Sequence, residues 1–163
     1  MSDILVRQLA EALRARQWMV TVAESCTGGG LAATLTDVPG ASDWFAYGFV
    51  TYADQAKQDL LGVPATTLLT HGAVSEATVL AMARGAQARA NAQVSVAISG
   101  VAGPGGGSEN KPVGLVWFGF AGPNAACAAQ AQQFSGDRLA IRQQAIGYAL
   151  HKLLHYCEVG DVV

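Results

Sequence analysis

The sequence predicts an α/β fold, a single three-layer α/β/α domain over residues 1–163 built on a mixed sheet. Three observations lead there. Apolar periodicity and turn residues give the order helix, strand, helix, strand, helix, helix, strand, strand, strand, helix. Helices separate the first three strands while the last three follow one another closely, which calls for a sheet of mixed direction. The 163 residues are 51% hydrophobic and only 13% charged, with 19 glycines, so a compact core of closely packed small residues replaces the charged surface usual in soluble chains.

The elements are justified in turn. Leu5, Leu9, Ala12 and Leu13 recur at helical spacing, with Arg7, Arg14 and Arg16 on the other face and Ser2 or Asp3 available to cap, giving a helix over about residues 3–16. Residues 18–23, WMVTVA, read as a short buried strand, and ESCTGGG follows directly, so that this first motif lies at a strand-to-helix turn. A helix then runs from about Gly28 to Asp37, where Pro39-Gly40 ends it. Residues 44–52, WFAYGFVTY, are aromatic and β-branched and predict a second strand. Asp54 is placed to cap a helix carrying Lys57, Leu60 and Leu61, closed by Gly62 and Pro64, and His71 falls in a loop. Ser75 opens a longer helix ending near Asn91, whose narrow stripe of Val79, Met82 and Ala86 implies close packing on the sheet. Strands over 94–98, over 114–120 and within 127–134 follow, the last preceded by an Ala-dense loop, and 137–156 form a final amphipathic helix.

Composition also excludes function classes. Ten Lys and Arg against twelve Asp and Glu leave a net charge of −2, which offers no field for a polyanion, so nucleic acid is not an expected partner. Cys26, Cys127 and Cys157 fit neither a disulfide framework nor a CxxC metal site and read as reduced cytosolic thiols. The first residues lack the apolar core of a signal peptide, and no apolar run nears the roughly 20 residues that span a bilayer. A cytoplasmic protein without a membrane partner is expected.

Chemistry concentrates in a few segments. Ser25 leaves a buried strand at a helix N-terminus, beside main-chain N–H groups suited to an oxyanion or phosphate. Neither GxxxxGK[ST], GxGxxG nor GxSxG is present, and Ser25 or Thr27 could equally cap the following helix. His151 and His155 stand at i,i+4 with no third metal ligand in view, as on a helix surface. Lysine is scarce, at Lys57, Lys111 and Lys152 only, which makes Lys57 a candidate base if burial lowers its pKa; a surface lysine beside Asp54 or Asp59 is the alternative. The segment SGVAGPGGGS, residues 99–108, offers unobstructed N–H groups as an anion nest or a wall for a flat ligand. Arg138 and Arg142 could grip a phosphate or carboxylate, or Asp137 could cap the last helix beside a surface arginine.

Together, AESCTGG at 23–29, GFVTYADQAKQDLLGV at 48–63, HGAVSE at 71–76, ISGVAGPGGGSENKPVGLVWF at 98–118 and FSGDR at 134–138 resemble the CinA C-terminal-domain family, in particular its stand-alone nicotinamide-nucleotide amidases of the PncC type. The resemblance implies an α/β/α domain that hydrolyses the carboxamide of nicotinamide mononucleotide to nicotinate mononucleotide and ammonia, in pyridine-nucleotide recycling, with no metal or other cofactor. The family's proposed mechanism is similar to that of Ser-Lys amidases, and its motif serine and lysine fall on Ser25 and Lys57. Tyr52 is implied to orient Lys57 or the pyridine ring. Thr27, Gly28, Gly29, Gly100, Gly103 and Gly105 are implied to meet the substrate through their main chain, and Arg138 or Arg142 its 5′-phosphate. In some relatives a larger N-terminal domain with pyrophosphatase activity precedes this one, and that activity does not transfer. Relatives commonly self-associate, so a homo-oligomer is expected. The Cys26 thiol is a competing nucleophile, and a nucleotide-binding module without turnover would use the same glycines and arginines without needing a neutral Lys57.

Overall fold

The computed structural model describes residues 2–163. Helix α1 (Ser2–Arg16) leads to strand β1 (Val20–Glu24), helix α2 (Gly30–Thr36) and strand β2 (Phe45–Val50). Three helices follow, α3 (Asp54–Leu61), α4 (Ala65–His71) and α5 (Glu76–Ala90). Strands β3 (Val94–Gly100), β4 (Leu115–Ala121) and β5 (Cys127–Gln133) then precede the long helix α6 (Arg138–Val159). The sheet order is β2-β1-β3-β4-β5. β1 is parallel to both β2 and β3, whereas β4 runs antiparallel to β3 and to β5. The mixed sheet expected from the spacing of the strands is therefore present, with helices on both faces.

The two faces are packed differently, and strand alternation sets the difference. Val22, Val96, Phe118 and Phe120 point to the side covered by α1, α2 and α6, where Leu9, Leu13, Ile141, Leu153 and Tyr156 complete a large-residue core. Their neighbours Ala23, Ala97 and Ala121 point to the other side, under Val79, Met82, Ala83 and Ala86 of α5. Here α5 lies almost on the sheet backbone. A Cβ at Gly119 would collide with the Val79 carbonyl, and one at Gly85 with the Leu61 carbonyl. The abundance of Gly and Ala thus reflects close helix-to-sheet approach as well as turns.

Several boundaries shift from the sequence reading, each for a local reason. β1 begins at Val20 because Gln17 takes a left-handed φ of 57° and turns the chain after α1. α2 begins at Gly30, since Gly28 and Gly29 are themselves left-handed and belong to the turn. Asp54 is the first residue of α3 and Ala53 the cap. The placement of His71 in a loop is corrected: it closes α4, a helix that the threonines of ATTLLTH conceal. Pro64, read as a terminator, is also the cap from which α4 starts. Ser75 accepts from the Thr78 N–H, Asp137 from the Ala140 N–H, and Gly62 closes α3, as expected, whereas neither Ser25 nor Thr27 caps α2, whose N-cap position is Gly29 because the chain turns through two left-handed glycines first. Among the described residues no helix is long and apolar enough to cross a membrane.

The contact between α5 and β4 supplies a stability test. Gly119→Ala is expected to lose about 1–3 kcal/mol through overpacking, whereas Gly147→Ala in α6, whose added Cβ meets nothing within 4 Å, is expected to be neutral or to gain about 0.5–1 kcal/mol. Thermal unfolding of the two variants checks this.

Candidate active site

The carboxyl ends of the three parallel strands converge, as ligand sites in open α/β sheets do. Ser25 follows β1, Thr51 and Tyr52 follow β2, and the Gly-rich segment continues from β3. The Ser25 N–H donates to the Ile98 carbonyl at 2.9 Å and the Thr51 N–H to the Glu24 carbonyl at 2.8 Å, tying the three strand ends together. Between them lies a cleft of about 310 Å³ lined by Ser25, Lys57, Tyr52, Ser99, Arg138 and the 100–106 loop.

Lys57 enters this cleft from the second turn of α3 and is completely buried, at 0% exposure. Its Nζ lies 2.9 Å from the Thr51 carbonyl oxygen, 3.1 Å from that of Tyr52 and 3.1 Å from Ser25 Oγ. Two carbonyls therefore accept two of its N–H bonds, and in the neutral amine the remaining lone pair faces the serine hydroxyl. Burial pushes the Lys57 pKa below its ordinary value of 10.5, against the smaller opposing pulls of Asp54, whose carboxylate stands 3.9 Å away, and of Cys26. The arrangement can move a proton between Ser25 Oγ and Lys57 Nζ. Cys26 also lines the cleft, but burial pushes its thiol up to about 11, so it is held in the unreactive protonated form at neutral pH.

The other residues singled out from the sequence divide into two groups. Gly100, Gly103, Gly105, Tyr52 and Arg138 stand on the cleft wall with Ser25 and Lys57. Tyr52 meets Lys57 through its carbonyl, while its exposed phenol accepts a hydrogen bond from Arg138 Nη2 at 3.1 Å on the rim. Arg138 also donates to the Gly103 carbonyl at 2.7 Å, which joins the glycine loop to the start of α6. Thr27, Gly28 and Gly29 do not line the cleft: Thr27 is buried, and the left-handed glycines (φ 57° and 95°) form the turn that lets α2 start beside Ser25. Arg142 likewise does not line the cleft; its Nε and Nη2 donate to the Cys26 and Thr27 carbonyls at 3.1 Å each.

One contributor carried no signal in the sequence reading. Glu24, fully buried, accepts from the Leu31 and Ala32 N–H groups at 2.8 and 3.0 Å, so a strand residue caps α2 from seven positions upstream. Such a cap has no local spacing by which to find it. Ser99, which opens the Gly-rich segment marked in the sequence, also lines the cleft. The histidine pair contributes nothing there: His151 contacts the Gly147 carbonyl within its own helix, and both rings are exposed. A larger groove of about 710 Å³ between α1, α2 and α6 is mostly apolar and, apart from His151, has no residue able to act as a base. No cluster of three metal-ligating side chains occurs among the described residues.

Fold and site together define a class: three-layer α/β domains in which a buried lysine faces a serine at a strand-to-helix turn. The chain belongs to the CinA C-terminal domain family, whose sequence profile matches residues 2–157. It is 53% identical over 149 residues, 91% of this chain and 90% of the relative, to nicotinamide-nucleotide amidohydrolase PncC of Escherichia coli K12. It is 50% identical to the protein of that name from Pseudomonas putida, over 92% of this chain and 93% of the relative. Among solved structures, a CinA superfamily protein of Klebsiella pneumoniae superimposes with a TM-score of 0.92 at 40% identity, covering 97% of this chain and 98% of the other. The competence/damage inducible protein CihA of Agrobacterium tumefaciens does so with a TM-score of 0.92 at 42% identity over 94% of both.

A buried amine with a lowered pKa is a burden on stability while it is protonated. The unfolded chain binds that proton more tightly than the folded one, so stability rises with pH from the lowered folded value up to 10.5. The raised Cys26 and Cys157 thiols act oppositely in both proteins, so denaturant titrations at a series of pH values are expected to show the rise as a difference, the native protein gaining stability relative to Lys57→Met as pH approaches 10.5.

Proposed function

We propose that the chain is a nicotinamide-nucleotide amidohydrolase that converts nicotinamide mononucleotide to nicotinate mononucleotide and ammonia through a Ser25 acyl-enzyme. The observation that carries this reading is the fully buried Lys57 Nζ, 3.1 Å from Ser25 Oγ and held by two carbonyls. The activity for which relatives at 50–53% identity are named supplies the substrate.

Neutral Lys57 takes the proton from Ser25 Oγ as the oxygen attacks the carboxamide carbon, giving a tetrahedral oxyanion. Main-chain N–H groups beside Ser25 and in the Gly100 to Gly106 loop are placed to receive that charge. The intermediate collapses as the Lys57 ammonium returns a proton to the amide nitrogen, which leaves as ammonia. Water, giving its proton to Lys57, then attacks the Ser25 ester; nicotinate mononucleotide departs and Ser25 recovers its proton. Arg138, on the rim beside Tyr52, is the cationic group through which the 5′-phosphate is held. The reaction uses the chain's own side chains and water, and its product returns a pyridine nucleotide for reuse.

Ammonia release from nicotinamide mononucleotide tests the reading. Ser25→Ala and Lys57→Met are each expected to lose about 10³-fold or more in kcat, whereas Cys26→Ala retains most of the rate. Near-normal turnover in the serine variant, or loss confined to the cysteine variant, would overturn the assignment.

A further inference from the structure

The Ser25 turn is held from behind the cleft as well as from within it. Inside the turn, the Gly28 N–H donates to the Ser25 carbonyl at 3.1 Å and the Gly30 N–H to the Thr27 carbonyl at 2.9 Å. The Cys26 carbonyl has one donor among the described residues, Arg142 Nε, and the same guanidinium reaches the next carbonyl, that of Thr27. Two N–H groups of one planar fork on two successive carbonyls fix both peptide planes at once. Arg142 forms no ion pair among the described residues, so its hydrogen-bonding capacity there is directed to this turn. It is carried on α6, one turn in from Arg138, where Ile146 packs so closely on Gly30 that a Cβ there would sit 2.7 Å from its Cδ1. The helix and the turn are therefore joined by two hydrogen bonds and a close side-chain contact.

The Cys26 amide is the consequence that matters. Its peptide partner, the Ser25 carbonyl, is turned inward to the Gly28 N–H, and in a trans peptide the N–H points the opposite way. No main-chain carbonyl accepts it among the described residues; it lies against the Cys26 sulfur, a weak acceptor that an oxyanion would displace. The amide that follows a nucleophilic serine, on a residue lining the cleft, is a ready donor to the oxyanion.

We propose that Arg142 is a positioning residue: by gripping the Cys26 and Thr27 carbonyls from α6, it sets the Ser25–Gly28 turn so that Ser25 Oγ stays in reach of Lys57 and the Cys26 N–H stays available to the oxyanion. It does not hold the substrate phosphate. The catalytic half of this assignment rests on the amidase reading; the structural half does not.

The test compares native protein with Arg142→Met, which removes the donors, and Arg142→Lys, which keeps the charge and one donor. Kinetics on nicotinamide mononucleotide and on nicotinamide riboside, which lacks the phosphate, are expected to show kcat falling by a similar factor of about 10² on both in the Met variant, with KM little changed, and partly recovered in the Lys variant. A raised KM for the mononucleotide alone, with kcat retained, would make Arg142 a phosphate ligand and overturn the proposal. Amide hydrogen exchange, measured without substrate, is expected to quicken at Gly28 and Gly30 in the Met variant while the α6 amides beyond Ile146 keep their protection. Unchanged exchange at those glycines overturns the positioning role whatever the kinetics. Failure of the native protein to release ammonia overturns the amidase reading and leaves the exchange result to decide the role of Arg142. Should the Met variant not fold, the Lys variant carries both measurements, with an intermediate loss expected and native values contradicting.

Discussion

The site depends on keeping a lysine amine out of water without giving it a counter-charge strong enough to hold its proton. Lys57 is enclosed by main-chain carbonyls and by Ser25, and its nearest carboxylate, on Asp54, is 3.9 Å away and largely exposed. A closer or buried carboxylate would stabilise the ammonium and remove the base. Carbonyl oxygens favour the ammonium far less than a full negative charge: they orient the amine and satisfy its donors while burial keeps the neutral form accessible.

Everything around that amine serves to place three strand ends side by side. Parallel pairing of β1 with β2 and with β3 brings Ser25, Thr51 and Ser99 to one edge. The sheet is thick on one side and thin on the other: Phe118, Phe120 and Val96 fill the layer under α1 and α6, while Ala97, Gly119 and Ala121 let α5 lie against the backbone. α3 is anchored to α5 through the tight contact at Gly85, so the helix that carries Lys57 is held to the sheet that carries Ser25. The starting frame of α2 is fixed by the Glu24 carboxylate, which is buried directly before the serine. Few charges occur in this chain, and several of those present, Glu24, Lys57, Arg138 and Arg142, converge on the same strand ends.

Much of this was legible in the sequence. Alternation and spacing gave the mixed sheet and most caps, because those signals are local. The scarcity of lysine drew attention to Lys57, and the position of Ser25 after an apolar strand marked the turn. What remained hidden depends on long-range approach. Glu24 caps a helix that begins six residues later, so no short motif announces it. Thr27, Gly28 and Gly29 read as a binding loop because glycines serve both ligands and turns; their φ values put Gly28 and Gly29 in the turn that starts α2, and none of the three lines the cleft. Arg138 and Arg142 were equivalent by spacing, and only the fold separates the rim residue from the one reaching the Ser25 turn. α4 escaped notice because three threonines in seven residues weaken the helical pattern that its packing on α5 restores.

The central claim is that Ser25, activated by Lys57, becomes acylated. Native protein mixed with nicotinamide mononucleotide and quenched in acid within a turnover is to be digested and its peptides weighed. The expected result is a nicotinate mononucleotide ester on Ser25, absent from Lys57→Met. An adduct on Cys26, or full turnover with no adduct on Ser25 at any quench time, would contradict the account.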